Sequence, residues 1–197
     1  MKKLIWSLLS TSLLFFLSSC DGGSDSSFNG SGNDVIALPN DFENVVDTGS
    51  GSLPPTSSRE IIAAQVEVEI FDRVNDYRIQ NGMQALALDN RLSNLLDTHN
   101  INMGMAGRNG GAFFGLSHDG FSSRSQAVFS FGYTSAGENV AALVRVQPSL
   151  LAQKFVLNWV NSPQHLQNIL SNVSATGVAV YVDPVSGIVY ASQMFGG

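Results

Sequence analysis

The 197-residue chain contains a single cysteine, Cys20. One Cys excludes an intrachain disulfide framework and any Cys-rich zinc site. Basic residues are also scarce, 10 Lys+Arg against 16 Asp+Glu, for a formal charge of -6. No basic cluster exists to displace phosphate counterions, so nucleic acid is excluded as a partner. No internal repeat is present. The segment Gly120-Phe121-Ser122-Ser123-Arg124 is not a nucleophile elbow, which requires Gly two residues away on both sides of the Ser. The charge-free apolar run Leu4 to Leu17 is short. At about 1.5 Å rise per residue it reaches about 21 Å, less than a hydrocarbon core of about 30 Å.

That run follows Lys2 and Lys3 and ends in Leu17-Ser18-Ser19-Cys20, which together read as a secretory signal. The ending resembles a bacterial lipobox, in which the Cys is acylated and becomes the new N-terminus. The expectation is a lipoprotein signal peptide over 1–19 and a lipid anchor on Cys20. Residues 21–58 hold six Gly, eight Ser, three Pro and six acids with no base. Such a segment buries too little area to offset chain entropy, and its one-sided charge extends it. Residues 20–58 are therefore read as the acylated Cys and a disordered linker spanning about 34 Å r.m.s.. Val35-Ile36-Ala37-Leu38 is its one apolar island. A nearly neutral domain with ten acids and eight bases occupies 59–197.

Within that domain, Ser57-Ser58-Arg59-Glu60 has the form of a capping box. Ile62, Val66, Ile70, Val74 and Tyr77 then recur as a helical stripe, closed by Asn81-Gly82. A second helix starts at Asp89 or Asn90 and aligns Leu92, Leu95, Leu96, His99, Met103 and Ala106. His99 is read as a partly buried helix residue. A third helix runs from Pro148 to Trp159 and a short one over 163–170. Val178, Val180 and Val182 alternate ahead of a turn at Asp183-Pro184-Val185-Ser186-Gly187, a hairpin with a loop of about five residues. Helices first and paired strands last define an α+β class. Phe113, Phe114, Phe121, Phe129 and Phe131 are expected in the core. Asn75 and Arg78 are expected to tie the first helix to the sheet.

Three polar residues stand out in Gly- or Pro-marked loops or at a helix start: His118, Glu138 and His165. Two imidazoles and a carboxylate suit a three-ligand zinc site with an open position. They suit equally an acid–base pair. A local cap or a buried hydrogen bond would explain each His separately. Asp119 either orients His118 or caps the following turn. Asn139 is expected to fix its loop.

The order His118, Gly137-Glu138-Asn139, Trp159 and Ser162-Pro163-Gln164-His165 is similar to the CAP superfamily, also called the SCP domain. The family comprises cysteine-rich secretory proteins, insect antigen 5 and plant pathogenesis-related proteins. The bacterial branch matches best. Val74 to Arg78, Leu86 to Asp89, Gly177 to Val180 and Gln193 to Gly196 agree with the same pattern. The resemblance covers about 62–196 and implies an α-β-α sandwich with a surface cleft. It implies two His and two acids lining that cleft and sometimes holding a divalent metal such as zinc. By motif, His118 and His165 match the two His, and Glu138 matches one acid. The second acid is absent, with Ser162 near its place. Disulfides of eukaryotic members are absent too.

These expectations frame two functions. One is a non-catalytic binding module, lipid-anchored in the cell envelope on the extracytoplasmic side of an inner or outer membrane. Its cleft of His118, Glu138, His165, Asn139 and Ser162 would take a lipid, a glycan or an envelope protein. The alternative is a metal-assisted or general-base hydrolase, with His118 and His165 as metal ligands or proton carriers and Glu138 orienting water. A purely structural role for the three residues is a third reading.

Overall fold

A computed structural model describes residues 56–197. The expected signal peptide, Cys20, the Val35 to Leu38 island and the expected linker as far as residue 55 lie outside the described residues, whereas 56–58, read as the end of that linker, belong to the first helix. Among the described residues, five α-helices and four strands follow in order. They are α1 (Thr56–Gln80), β1 (Ala87–Leu88), α2 (Asn90–Arg108), α3 (Phe121–Ser130), β2 (Ala136–Leu143), α4 (Leu151–Val160), α5 (Pro163–Ile169), β3 (Ala175–Val182) and β4 (Val189–Gly196). Among the described residues, no helix is long and apolar enough to cross a membrane.

The long stripe of α1 is buried as its period requires. Val66, Ile70, Val74 and Tyr77 pack with Leu151, Phe155 and Trp159 of α4. Helix α1 already includes Thr56 and Ser57, so it starts upstream of the position expected from the sequence. Its C-terminus closes as expected. Gly82 takes φ 74°, its N–H bonds Ile79 O at 3.0 Å, and Met83 N–H bonds Arg78 O at 2.9 Å. That pair of bonds is a Schellman motif, which needs a residue free to enter the left-handed region. Helix α2 starts at the expected Asp89 cap, whose carboxylate accepts from Arg91 N–H. The Arg91 side chain and the Tyr133 hydroxyl bond the same carboxylate and hold its pKa down to about 2.

The strand order is β1-β3-β4-β2, with β1 parallel to β3 and the other pairs antiparallel. Val182 pairs Val189, so the closing loop has six residues, one more than expected. Buried Asp183 shapes it by accepting from Val185 N–H, Ser186 N–H and Ser186 Oγ–H. Strand alternation sorts the two sheet faces. Asn139, Ala141, Gln193, Phe195, Val178 and Val180 face α1 and α4. Glu138, Val140, Met194, Ala175 and Ala179 face α2 and α3, where Leu92, Leu96 and Val128 complete a second core. The result is the expected α-β-α sandwich.

Helix α2 approaches β3 so closely that Gly177 has no room for a side chain. A Cβ there would lie 2.2 Å from Ser93 N and 2.5 Å from the Leu92 carbonyl carbon. Both contacts are backbone, so relief requires moving α2. Gly177→Ala is expected to cost about 1–3 kcal/mol or more by overpacking. Thermal denaturation checks this, and an unchanged midpoint would show that α2 can retreat freely.

Two elements differ from expectation. Glu138 and Asn139 lie on strand β2 rather than in a loop. The Phe-rich segment is only partly core: Phe121 and Phe131 pack on the second core, while Phe113, Phe114 and Phe129 are exposed. Phe113 and Phe114 sit in a short three-ten turn with φ of 52° and 60°, a conformation that bulky side chains rarely adopt. A polar, Ser-rich helix, α3, fills the segment between them and β2.

Candidate functional site

Strand β2 ends the sheet, and the three residues singled out by sequence reach its edge from both layers. Glu138 projects from β2 toward α2 and α3. His118 comes from the loop before α3, and His165 from α5.

The Gly-Glu-Asn segment divides its work by residue. Gly137 leaves room for Asn168, whose Oδ1 would lie 3.0 Å from any Cβ at that position. Asn168 Nδ2 donates to Glu138 O at 3.2 Å and to Asn139 Oδ1 at 2.8 Å. Asn139 Nδ2 donates to His165 O at 3.2 Å. Asn139 is fully buried with both ends of its amide engaged, so it fastens α5 to the sheet instead of lining the cleft. Asn168 does the same work from the helix side and was not singled out by sequence. Ser162 is the N-cap of α5 but makes no side-chain cap bond.

Glu138 carries the site's charge. Its side chain is 1 % exposed. His118 Nδ1 lies 2.8 Å from Oε1. Arg124 of α3 donates from Nε to Oε2 at 2.6 Å and from Nη2 to Oε1 at 2.8 Å. Burial alone would raise the Glu138 pKa. The bonds from His118 and Arg124 and the nearby positive charge overcome that and lower it. An ionised carboxylate only accepts, so His118 carries a proton on Nδ1 and turns Nε2 away from Glu138. The His118 side chain is 26 % exposed. Asp119 does not hold the imidazole; its backbone carbonyl accepts from Arg124 Nη1 at 2.8 Å.

His99 backs the same carboxylate. It is buried on α2 as its helical spacing predicts. Its Nε2 donates to Ser117 O at 3.0 Å and lies 3.9 Å from Glu138 Oε1. Burial lowers its pKa. His165 is half-buried, and burial together with the His118 charge lowers its pKa to about 4. At neutral pH His165 is therefore an uncharged imidazole.

The arrangement does not fit a resident metal. Among the described residues, no three His, Cys, Asp or Glu side chains are placed to hold an ion. The three-ligand zinc site of His118, Glu138 and His165 is thus not formed, and both Glu138 oxygens are bonded by Arg124 instead. A divalent ion about 4 Å from that guanidinium would meet roughly 8 kcal/mol of repulsion at an effective dielectric of about 20. Arg124 escaped sequence reading because its contact with Glu138 joins a helix to a strand, and no local spacing encodes it. His118 and His165 remain as two imidazoles at one sheet edge, the first oriented by a carboxylate.

A three-layer α+β domain with a cluster of His and Glu side chains at an edge strand is the class that fold and site define. The chain belongs to the CAP family, described as the cysteine-rich secretory protein family, whose pattern matches residues 71–195. No curated protein matches the chain. Among solved structures, an extracellular protein containing a SCP domain from Bacillus anthracis is 27% identical, with a TM-score of 0.56 over 75% of this chain and 45% of that one. A cysteine-rich secretory protein from Staphylococcus aureus is 16% identical, with a TM-score of 0.52 over 74% of this chain and 41% of its own. An outer surface protein from Borrelia burgdorferi, also 16% identical, has a TM-score of 0.50 over 76% of this chain and 98% of its own. The chain spans less than half the length of the first two. Similarity to the latter two extends to the fold alone.

Proposed function

We propose that this chain is an extracytoplasmic CAP-domain lipoprotein whose cleft binds an organic ligand without turning it over. In this reading 1–19 is the signal, acylated Cys20 anchors the protein to a cell-envelope membrane, 20–58 is the tether and 59–197 the binding domain. The observation that carries it is the engagement of Glu138 by Arg124 and His118. With both oxygens bonded by Arg124 and one also by His118, about three of the carboxylate's four lone-pair sites are taken, and its lowered pKa makes it a poor base for activating water. The cleft then offers one neutral imidazole, His165, and one oriented imidazole, His118, to the hydrogen-bonding groups of a lipid, a glycan or an envelope protein. The extracellular protein containing a SCP domain among the similar structures supports the location.

Binding to lipid and glycan arrays tests the reading. A His118→Ala, His165→Ala double substitution is expected to weaken any wild-type signal at least about tenfold, the scale of losing one or two buried hydrogen bonds. Full retention would remove the cleft as the binding site. Incorporation of labelled fatty acid into wild type but not Cys20→Ser tests the anchor.

The His118–Glu138 pair favours a second reading, a general-base hydrolase using His118 Nε2. It requires hydrolysis of peptide or cell-wall substrates that vanishes in His118→Ala and survives chelator.

A further inference from the structure

Three segments meet at one end of the sandwich and present apolar side chains to solvent there. Helix α2 ends at Arg108, whose Nε pairs with Asp183 Oδ1 at 3.1 Å and fastens the β3–β4 loop beside it. The Tyr190 hydroxyl of β4 donates to Phe114 O at 2.8 Å and fastens the three-ten turn 112–115 to the same end. Phe113 and Phe114 in the turn, Met105 near the end of α2 and Val185 in the loop are 51 %, 52 %, 44 % and 65 % exposed. Single exposed apolar residues are ordinary, but a group of them drawn from three elements marks a contact surface.

The turn is held so that it displays its rings. Phe113 and Phe114 keep φ of 52° and 60°, a costly conformation for bulky side chains that persists only where the surroundings impose it. Gly107 and Gly115 impose it. A Cβ on Gly115 would collide with Met103 O, and one on Gly107 with Phe114 O, so the turn lies against α2 through its backbone. Charge points to the occupant. Between Asp97 and Asp119 the chain has no acid, although it holds 16 in all, and Arg108 is the one Lys or Arg of that span. Asp183 is buried against Arg108, so the tip offers lipid no exposed carboxylate from these segments. Bilayers carrying anionic lipid repel carboxylates and accept aromatic side chains at headgroup level. In the anchored reading a linker of about 34 Å r.m.s. ends on an acylated Cys20. A bilayer is then always within reach, and at such an effective concentration even weak insertion is populated.

We propose that the tip formed by the end of α2, the 112–115 turn and the β3–β4 loop is a bilayer-contact surface, which inserts Phe113, Phe114 and Val185 into the headgroup–acyl boundary of the membrane that carries the anchor. The inference rests on the anchored reading for the nearness of that membrane. Contact through the tip leaves the His118–Glu138 cluster set back from the lipid, since Glu138 pairs Met194 toward the other end of β4.

The test uses the full chain reconstituted into vesicles of phosphatidylcholine and phosphatidylglycerol, with and without brominated acyl chains, and reads tryptophan quenching. Trp6→Phe in every sample removes the one tryptophan outside the domain, and buried Trp159 supplies a constant background. Phe113→Trp is expected to lose at least about twofold of its added fluorescence to bromine, because interfacial side chains sit about 5–10 Å into the boundary. Ile79→Trp is expected to lose none. Ile79 is exposed but lies beside Arg78, which bonds Val173 O ahead of β3 at the opposite end of the sheet. Absence of quenching in Phe113→Trp, or equal quenching in Ile79→Trp, overturns the proposal. A tip covered by a second copy of the chain would give blue-shifted, unquenched emission in Phe113→Trp and overturn it too. Should Phe113→Trp not fold, Val185→Trp reports from the same tip with the same expectation. Labelled fatty acid on Cys20 reads the anchor separately. Label without quenching keeps the anchor and removes the tip, and quenching without label keeps the tip and removes the anchor.

Discussion

Arg78→Met is expected to lose about 3–5 kcal/mol of stability, a large fraction of the roughly 5–15 kcal/mol of a typical domain. Arg78 leaves the last turn of α1 and is 1 % exposed. Its guanidinium faces backbone carbonyls rather than a carboxylate. Nε donates to Gln84 O at 2.9 Å, Nη1 to Ile169 O at 2.5 Å and Ser171 O at 3.0 Å, and Nη2 to Val173 O at 3.3 Å. Two of these carbonyls lie at the C-terminal end of α5, where the helix dipole is negative and favours a cation. Burial lowers the Arg78 pKa, but guanidinium pKa values lie so high that the charge persists. Met matches the length of the stem and removes every donor, leaving four carbonyls short of a partner. The damage converges on one place, because Gln84 leads to β1 and Val173 to β3. Arg78→Lys keeps the charge without the planar fork and should fall between wild type and Arg78→Met. Urea denaturation measures the series, and equal midpoints for wild type and Arg78→Met would mean that water replaces the guanidinium without cost.

Acid is expected to destabilise the domain before any carboxylate titrates fully. His165 has a folded pKa of about 4 against about 6.5 unfolded. The unfolded chain therefore binds the extra proton first. The contribution of neutral His165 is fully present above about pH 6.5 and is lost as pH falls toward 4, at about 1.4 kcal/mol per unit. The whole effect is at most about 3 kcal/mol, reduced by solvent screening around the half-buried ring. His99, lowered by burial, adds in the same direction. Glu138 is lowered as well, so its contribution is lost later, as pH falls through its folded value. Burial raises Glu67 and Asp97, whose penalty is relieved on acidification and partly offsets the loss. Melting temperature should thus decline from about pH 6.5 downward, with a shallower decline in His165→Gln. Parallel curves for the two proteins would exclude His165 as the source.

Much of this fold follows from period alone. The stripe from Val66 to Tyr77 and the Leu92 to Met103 face admit only amphipathic helices, and each is buried as spaced. Val178 and Val180 alternate ahead of a Pro-Gly turn, which is enough to specify the hairpin. Motif order was enough to recognise the family and to group His118, Glu138 and His165. Strand β2 was not legible, because helices cover both of its faces. Buried Glu138 and Asn139 on opposite sides erase the polar–apolar alternation that marks a half-exposed strand. Helix α3 was hidden for the reverse reason. Phe121 to Ser130 is polar and Ser-rich, and only the packing of Val128, Phe121 and Phe131 on the second core selects the helix.

The division is sharpest at the cleft. Residue types and their order belong to the chain itself: two imidazoles, one carboxylate, and the Gly and Asn on either side of it. The partner of that carboxylate belongs to the tertiary structure. Arg124 and His99 reach Glu138 only because α3 and α2 cover the same face of β2. A guanidinium closing on a carboxylate across two layers is a contact between surfaces, and such contacts leave no period or spacing in the sequence. That contact, invisible in one dimension, is what turns a metal-ligand composition into a closed ion pair with one oriented imidazole.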